Sequence, residues 1–280
     1  MKRSLLTSIL IYGAVAVLVV TILAPVFWLF VMSISPATAL TDIPLRWFPE
    51  APDFSRYLRL FSLEPGSAGL VFLSAMRNSL VVAIAATAIA LCAGIPAAYS
   101  FSRFPGKMPL LYGVLVTYML PPVALILPLY MVFSAIGLLN TTIALVIVYC
   151  TILLPFVTWL LKSGFDAVPM EIEEAARVDG ASLFAVIRDV TLPVALAALG
   201  SATLFALLLA WDEFFYALLY TNDLRAKTLP VAIGDFASGR LTDYGLISAV
   251  GVLAALPPVL IGFALQRSLV SGLSAGSLKG

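Results

Sequence analysis

Two acids, Asp212 and Glu213, interrupt an apolar run after Trp211, and the run resumes from Phe214 to Tyr220. Carboxylates at membrane depth are costly, face a bundle interior or wet cavity, and mark a functional site. At the membrane surface they would instead join a belt of aromatic and acidic side chains. A helix starting at Val194 carries them about 27 Å along its axis at 1.5 Å per residue, which places them at the outer interface or inside a bundle. A second charged group is denser. Asp166, Glu171, Glu173, Glu174, Arg177, Asp179, Arg188 and Asp189 crowd into one segment of a chain with only 11% charged residues. Histidine is absent, which excludes His-based acid–base catalysis and His-ligated metal. Cys92 and Cys150 sit in apolar runs, the setting of packed thiols rather than a disulfide or metal cluster. "FPGKMP" lacks the spacing and the Ser/Thr of a phosphate-binding loop, so the chain itself cannot hydrolyse ATP. No catalytic residue and no metal ligand is assigned. A membrane-embedded enzyme would have Asp212 and Glu213 as its reactive groups, too few for a catalytic constellation.

The elements that must hold these groups are membrane helices. Mean hydropathy is +1.07 and 62% of residues are hydrophobic, far above a soluble domain, and about 20 apolar residues span a bilayer. The net charge of +1 gives no case for nucleic acid as a partner. The first apolar run, Ser8 to Met32, is longer than the 7–15 residues of a signal-peptide core. It is read as an uncleaved first span, despite Ala37-Thr38-Ala39, with Lys2 and Arg3 holding its start in the cytoplasm. Five more spans are expected, over about Asn78–Phe101, Pro109–Phe133, Thr142–Leu161, Val194–Tyr220 and Tyr244–Leu265. The expected fold is an all-α membrane protein with six transmembrane helices and both termini cytoplasmic. The short basic connection with Arg103 and Lys107 supports that orientation, while Arg46, Arg56, Arg59 and Arg240 in outer segments dilute the bias. The segment Thr41 to Arg77 is a folded outer cap or a plain linker. Pro121, Pro122 and Pro128 in the third span each lack an amide hydrogen. Such a span either kinks or breaks, and a break belongs inside a bundle or beside a wet pathway. Pro257-Pro258 in the sixth span poses the same choice.

The charged segment reads as two short helices. Pro169 suits a first helical turn, and Glu171, Glu173 and Glu174 lie near the positive end of the helix dipole. Ala175 and Ala176 favour helix. Gly180 after Asp179 is expected in a left-handed turn. A second helix is expected over Ser182–Val190, with Leu183, Val186, Ile187 and Val190 as its apolar stripe; Pro193 ends it or starts the fifth span. This helix–turn–helix is either a docking surface for another protein or an amphipathic loop at the membrane surface.

The spacing Glu174-Ala175-Ala176, three residues, Gly180, then Val190-Thr191-Leu192-Pro193 resembles the cytoplasmic loop of ABC importer permeases. Val190 stands where Ile is usual. "RNSLVVAIAATAIALCAGIPAAYSFSRFPGK", "PLYMVFSAIGLLNT" and "WDEFFYALLYT" resemble segments of the same family, with Asp212 where Asn is usual. The tail is similar to that of carbohydrate-type permeases, in particular the smaller six-span partner. The resemblance implies a first helix and outer loop over 1–72 and a permease core over 73–280, with its coupling loop at 166–193. It implies that Glu171, Glu174, Ala175, Ala176, Asp179, Gly180, Leu192 and Pro193 engage an ATPase. Pro121, Pro122, Tyr130, Trp211, Asp212 and Glu213 are assigned to the translocation path. The implied partners are a second permease subunit, two ATPase subunits that hold ATP and Mg, an extracytoplasmic solute-binding protein and membrane lipid. The implied setting is a bacterial inner membrane and the implied solute a sugar or sugar derivative; a non-sugar solute is the alternative. An ion-coupled secondary transporter would account for broken spans but not for the charged loop.

Overall fold

The computed structural model describes residues 5–37, 39, 47–237 and 243–277, and among these there is helix and loop but no strand. Lys2, Arg3, Arg46, Arg240 and part of the outer loop lie outside the described residues. In chain order the helices are α1 (Leu5–Ile34), α2 (Ser55–Leu60), α3 (Ala68–Arg103), α4 (Met108–Met119), α5 (Pro122–Ala135) and α6 (Thr142–Asp166). There follow α7 (Met170–Val178), α8 (Leu183–Ala185), a π-helical segment (Val186–Thr191), α9 (Leu192–Val194) and α10 (Leu196–Trp211). The last are α11 (Phe215–Tyr220), α12 (Leu229–Ala237) and α13 (Tyr244–Ser277). Among the described residues, four stretches are long and apolar enough to cross a membrane: Leu6–Ile34, Ala68–Arg103, Thr142–Asp166 and Tyr244–Gln266. Two bent pairs, α4 with α5 and the 183–194 arm with α10, bring the number to six if each is one span.

The bends have local causes. Pro121 and Pro122 supply no amide, and the residue before a proline is pushed into extended backbone. Leu120 and Pro121 are accordingly extended, and α4 meets α5 at 90°. The third span is therefore broken rather than merely kinked. By contrast α13 continues as one helix past Pro257 and Pro258. The fifth span is also in pieces. It bends by 84° at Ala195, where α10 begins, and stops at Trp211 before restarting as α11.

By internal packing the chain forms two units, one of residues 1–73 with 232–256 and one of residues 74–231 with 257–280. In the first, Arg56 is buried; its guanidinium donates to the carbonyls of Ser33 and Ser35 and pairs with Asp243 at 3.2 Å. A side chain at Gly245 would collide with that guanidinium. Part of the outer segment is thus folded onto the end of α1. Nearly all of α1 before Phe27 is exposed apolar surface, as suits a helix facing lipid or another chain. In the second unit α6 is the central helix and packs on α4 and α10. Gly164 of α6 abuts Ala198 of α10, where a Cβ would strike the alanine methyl. Cys150 is buried against this core, whereas Cys92 is exposed on α3, and both thiols are free.

Candidate functional site

The charged segment folds into an arm around one buried carboxylate. Pro169 takes the N-cap position of α7 rather than the first turn. The helix ends in a Schellman arrangement. Ala181 N–H donates to Ala176 O and Gly180 N–H to Arg177 O, each at 3.0 Å. Gly180 has φ +91°, which is why glycine stands there. Ser182 then caps the next helix, its Oγ accepting from Ala185 N–H. The single helix expected over Ser182–Val190 is instead one α turn followed by π-helix from Val186 to Thr191.

Glu173 faces inward. Its carboxylate accepts from Arg103 through Nη2 at 2.7 Å and Nε at 3.1 Å, a two-pronged ion pair. Tyr99 Oη donates to it at 2.8 Å and Thr191 Oγ1 at 2.8 Å. Arg177 Nη2 donates in turn to Tyr99 Oη at 3.0 Å. Arg103 Nη2 also reaches Val168 O at 3.1 Å. Burial pushes the Glu173 carboxyl up, but the bonds from Arg103, Tyr99 and Thr191 outweigh it and hold the group below its ordinary value. Sequence reasoning missed Glu173, Arg103, Tyr99 and Thr191 as a group. Tyr99 and Arg103 stand one turn apart at the end of α3, a face that signals a polar partner without naming it.

The residues assigned to ATPase contact lie mostly outward. Glu171, Glu174, Ala175, Asp179, Gly180 and Pro193 are exposed, while Ala176 and Leu192 are half-buried. Val178 is 88% exposed and Phe184 71% exposed, so the tip of the arm is apolar and uncovered.

The residues assigned to the path divide. Pro121 caps α5 and Pro122 is its first residue. Beside that break lies a cavity of about 250 Å³ lined by Thr117, Tyr118, Leu120, Pro122, Leu125, Thr151, Ile152 and Tyr216. Tyr130 meets Tyr220 edge-to-face, centroids 6.0 Å apart, and Tyr220 also meets Phe133 and Tyr216. This aromatic group joins α5 to α11. Trp211 is buried. Glu213 accepts from the amides of Tyr216 at 2.9 Å and Ala217 at 3.2 Å, so its carboxylate caps α11. Asp212 is exposed at the end of α10. Pro122 alone of the six lines the cavity.

A family model described as a binding-protein-dependent transport system inner membrane component matches residues 90–275. The chain belongs to that family. Its matched relatives include the sulfoquinovosyl glycerol transport system permease protein SmoH of Agrobacterium fabrum. SmoH is 32% identical, over 95% of this chain and 92% of its own length. The trehalose transport system permease protein SugB of Mycobacterium tuberculosis is 33% identical, over 92% of this chain and 93% of its own. The fold also matches a chain from the crystal structure of a bacterial ABC transporter involved in import of the acidic polysaccharide alginate. The TM-score is 0.78 at 21% identity, covering 96% of this chain and 99% of that one. The protein is thus a multi-pass inner-membrane permease of the carbohydrate ABC importer type, and its family consists of transport components rather than enzymes.

Proposed function

We propose that this permease passes a sugar or sugar derivative across the membrane, driven by separate ATPase subunits that dock on the α7–α8 arm. The apolar tip carries this reading. Exposed apolar side chains grouped on one charged segment suit an interaction surface, and Met170, Ile172, Val178, Leu183 and Phe184 are all exposed there. Glu171 and Glu174 beside them are exposed acids, suited to basic groups on the ATPase, and Ala175, Ala176 and Gly180 keep the profile low. Asp179 and the Leu192-Pro193 end complete that surface. The remaining partners are a second permease subunit and an extracytoplasmic solute-binding protein; ATP and Mg belong to the ATPases. Residues 73–280 act as the transport core, with 1–72 as an added span and outer segment, and both termini lie in the cytoplasm. The path runs beside the breaks at Pro121-Pro122 and Trp211–Phe214, near Tyr130, Asp212 and Glu213. The names of the relatives support the sugar class.

The test is recovery of ATPase on tagged permease, with uptake in vesicles. Gly180→Val forces a side chain into a left-handed turn, costing roughly 1 kcal/mol or more. Glu174→Lys reverses a docking charge. Both variants should insert in the membrane yet lose ATPase and uptake together, while the solute-binding protein keeps its affinity. Full recovery and full uptake in both would sink the docking assignment.

A further inference from the structure

Glu173 is one residue from Glu174 but is turned away from the docking face. Its carboxylate joins three elements, one of which, α3, is remote from the other two in the chain. It belongs to α7, accepts from Tyr99 and Arg103 of α3, and accepts from Thr191 at the end of the π-helical segment. The short connections around α7 are Ala167–Pro169 on one side and Asp179–Ser182 on the other. These lead to α6 and to the arm. α3 has no such connection, since Arg103 precedes Glu173 by 70 positions. Packing of α7 is mainly against the π-helical segment, and its link to α3 is polar. That link is buried, with the Arg103 and Glu173 side chains 6% and 4% exposed. A buried two-pronged ion pair holds distance and angle together.

We propose that Glu173 is the positioning residue that makes α3 and the base of the fifth span move with α7, so that displacement of the docked helix reaches both membrane elements at once. This rests on the reading of α7 as the ATPase-docking element. A carboxylate shared by three elements converts a push on one into a rigid-body shift of all three, the arrangement that coupling between distant sites requires. Arg177 tightens the joint through Tyr99 without touching the carboxylate. Glu174 then attaches the ATPase, and Glu173 passes its movement on.

The experiment uses the complete transporter, reconstituted in vesicles with its ATPases and binding protein, and reads solute imported per ATP hydrolysed. In Glu173→Gln the ATPase should remain on the permease and continue to hydrolyse ATP. Import per ATP should fall about tenfold, within the range of ordinary coupling free energies. Tyr99→Phe and Thr191→Val each remove one donor and leave the ion pair; both should give smaller losses of the same ratio. Exchanging the pair, Arg103→Glu with Glu173→Arg, should regain part of it. An unchanged ratio in Glu173→Gln with ATPase attached would overturn the proposal. So would loss of attachment in proportion to uptake, because the carboxylate would then be an anchor and nothing more. If Glu173→Gln does not accumulate, Tyr99→Phe and Thr191→Val decide by the same ratio. Failure of the unaltered permease to retain any ATPase would overturn the docking reading, and the proposal with it.

Discussion

Two carboxylates in this permease meet opposite fates. Glu173 is held by side chains, one of them 92 positions from the other in the chain: Tyr99 on α3 and Thr191 at the base of the fifth span. Glu213 is held by amides three and four residues ahead, those of Tyr216 and Ala217. The first joins separate helices and needs a cation to remain charged in a buried place. The second closes a break in one span by capping the helix that follows it, with Tyr149 of α6 as a further partner. The contrast separates an acid whose bonds tie three helical elements together from one whose main bonds cap the helix that follows it.

The sharpest way to break this comparison is to remove each carboxylate. Glu173→Ala leaves Arg103 buried without a counter-charge, and removing one member of a buried pair typically costs about 3–5 kcal/mol. Thermal unfolding of the purified permease should show a loss of that size; a loss under about 1 kcal/mol would mean that water reaches Arg103 freely. The same site has a pH signature. The folded carboxyl titrates below its ordinary value of 4.5, so its contribution is complete above that value and is lost as pH falls through the lower, folded value. Stability should therefore drop on acidification below 4.5, and Glu173→Gln should flatten that drop.

Glu213→Ala removes a helix cap, a change worth roughly 0.5–2 kcal/mol. Its loss should be clearly smaller than that of Glu173→Ala, and import per ATP should stay near normal. An equal loss, or an uncoupled ATPase, would erase the distinction between the two acids. Asp212→Asn should matter least for folding. The side chain is exposed, and surface substitutions usually stay within about 0.5 kcal/mol. Its readout is selectivity. If Asp212 reads the solute, competition by other sugars during uptake should change in Asp212→Asn. Unchanged competition would leave Asp212 as a surface acid at the end of α10.

Features whose causes lie within a few residues were legible in the sequence. Pro169, the three glutamates and Gly180 define α7, because capping, dipole and left-handed turn all act over one helical turn. The paired prolines at 121 and 122 announced a disruption of the third span, because both remove an amide locally. The apolar runs gave the spans for the same reason. What the sequence left undecided depends on partners far along the chain. Successive helical residues differ by about 100° in direction, so the adjacent acids Glu173 and Glu174 lie on different faces, and local pattern alone does not say which one turns inward. That was decided by Arg103, 70 positions earlier, arriving beside Glu173 when α3 and α7 came together. The same holds for the two proline pairs. Pro121-Pro122 ends a helix and turns it by 90°, while Pro257-Pro258 lies within one continuous helix. A missing amide only permits a break; whether the chain takes it is set by the packing on either side.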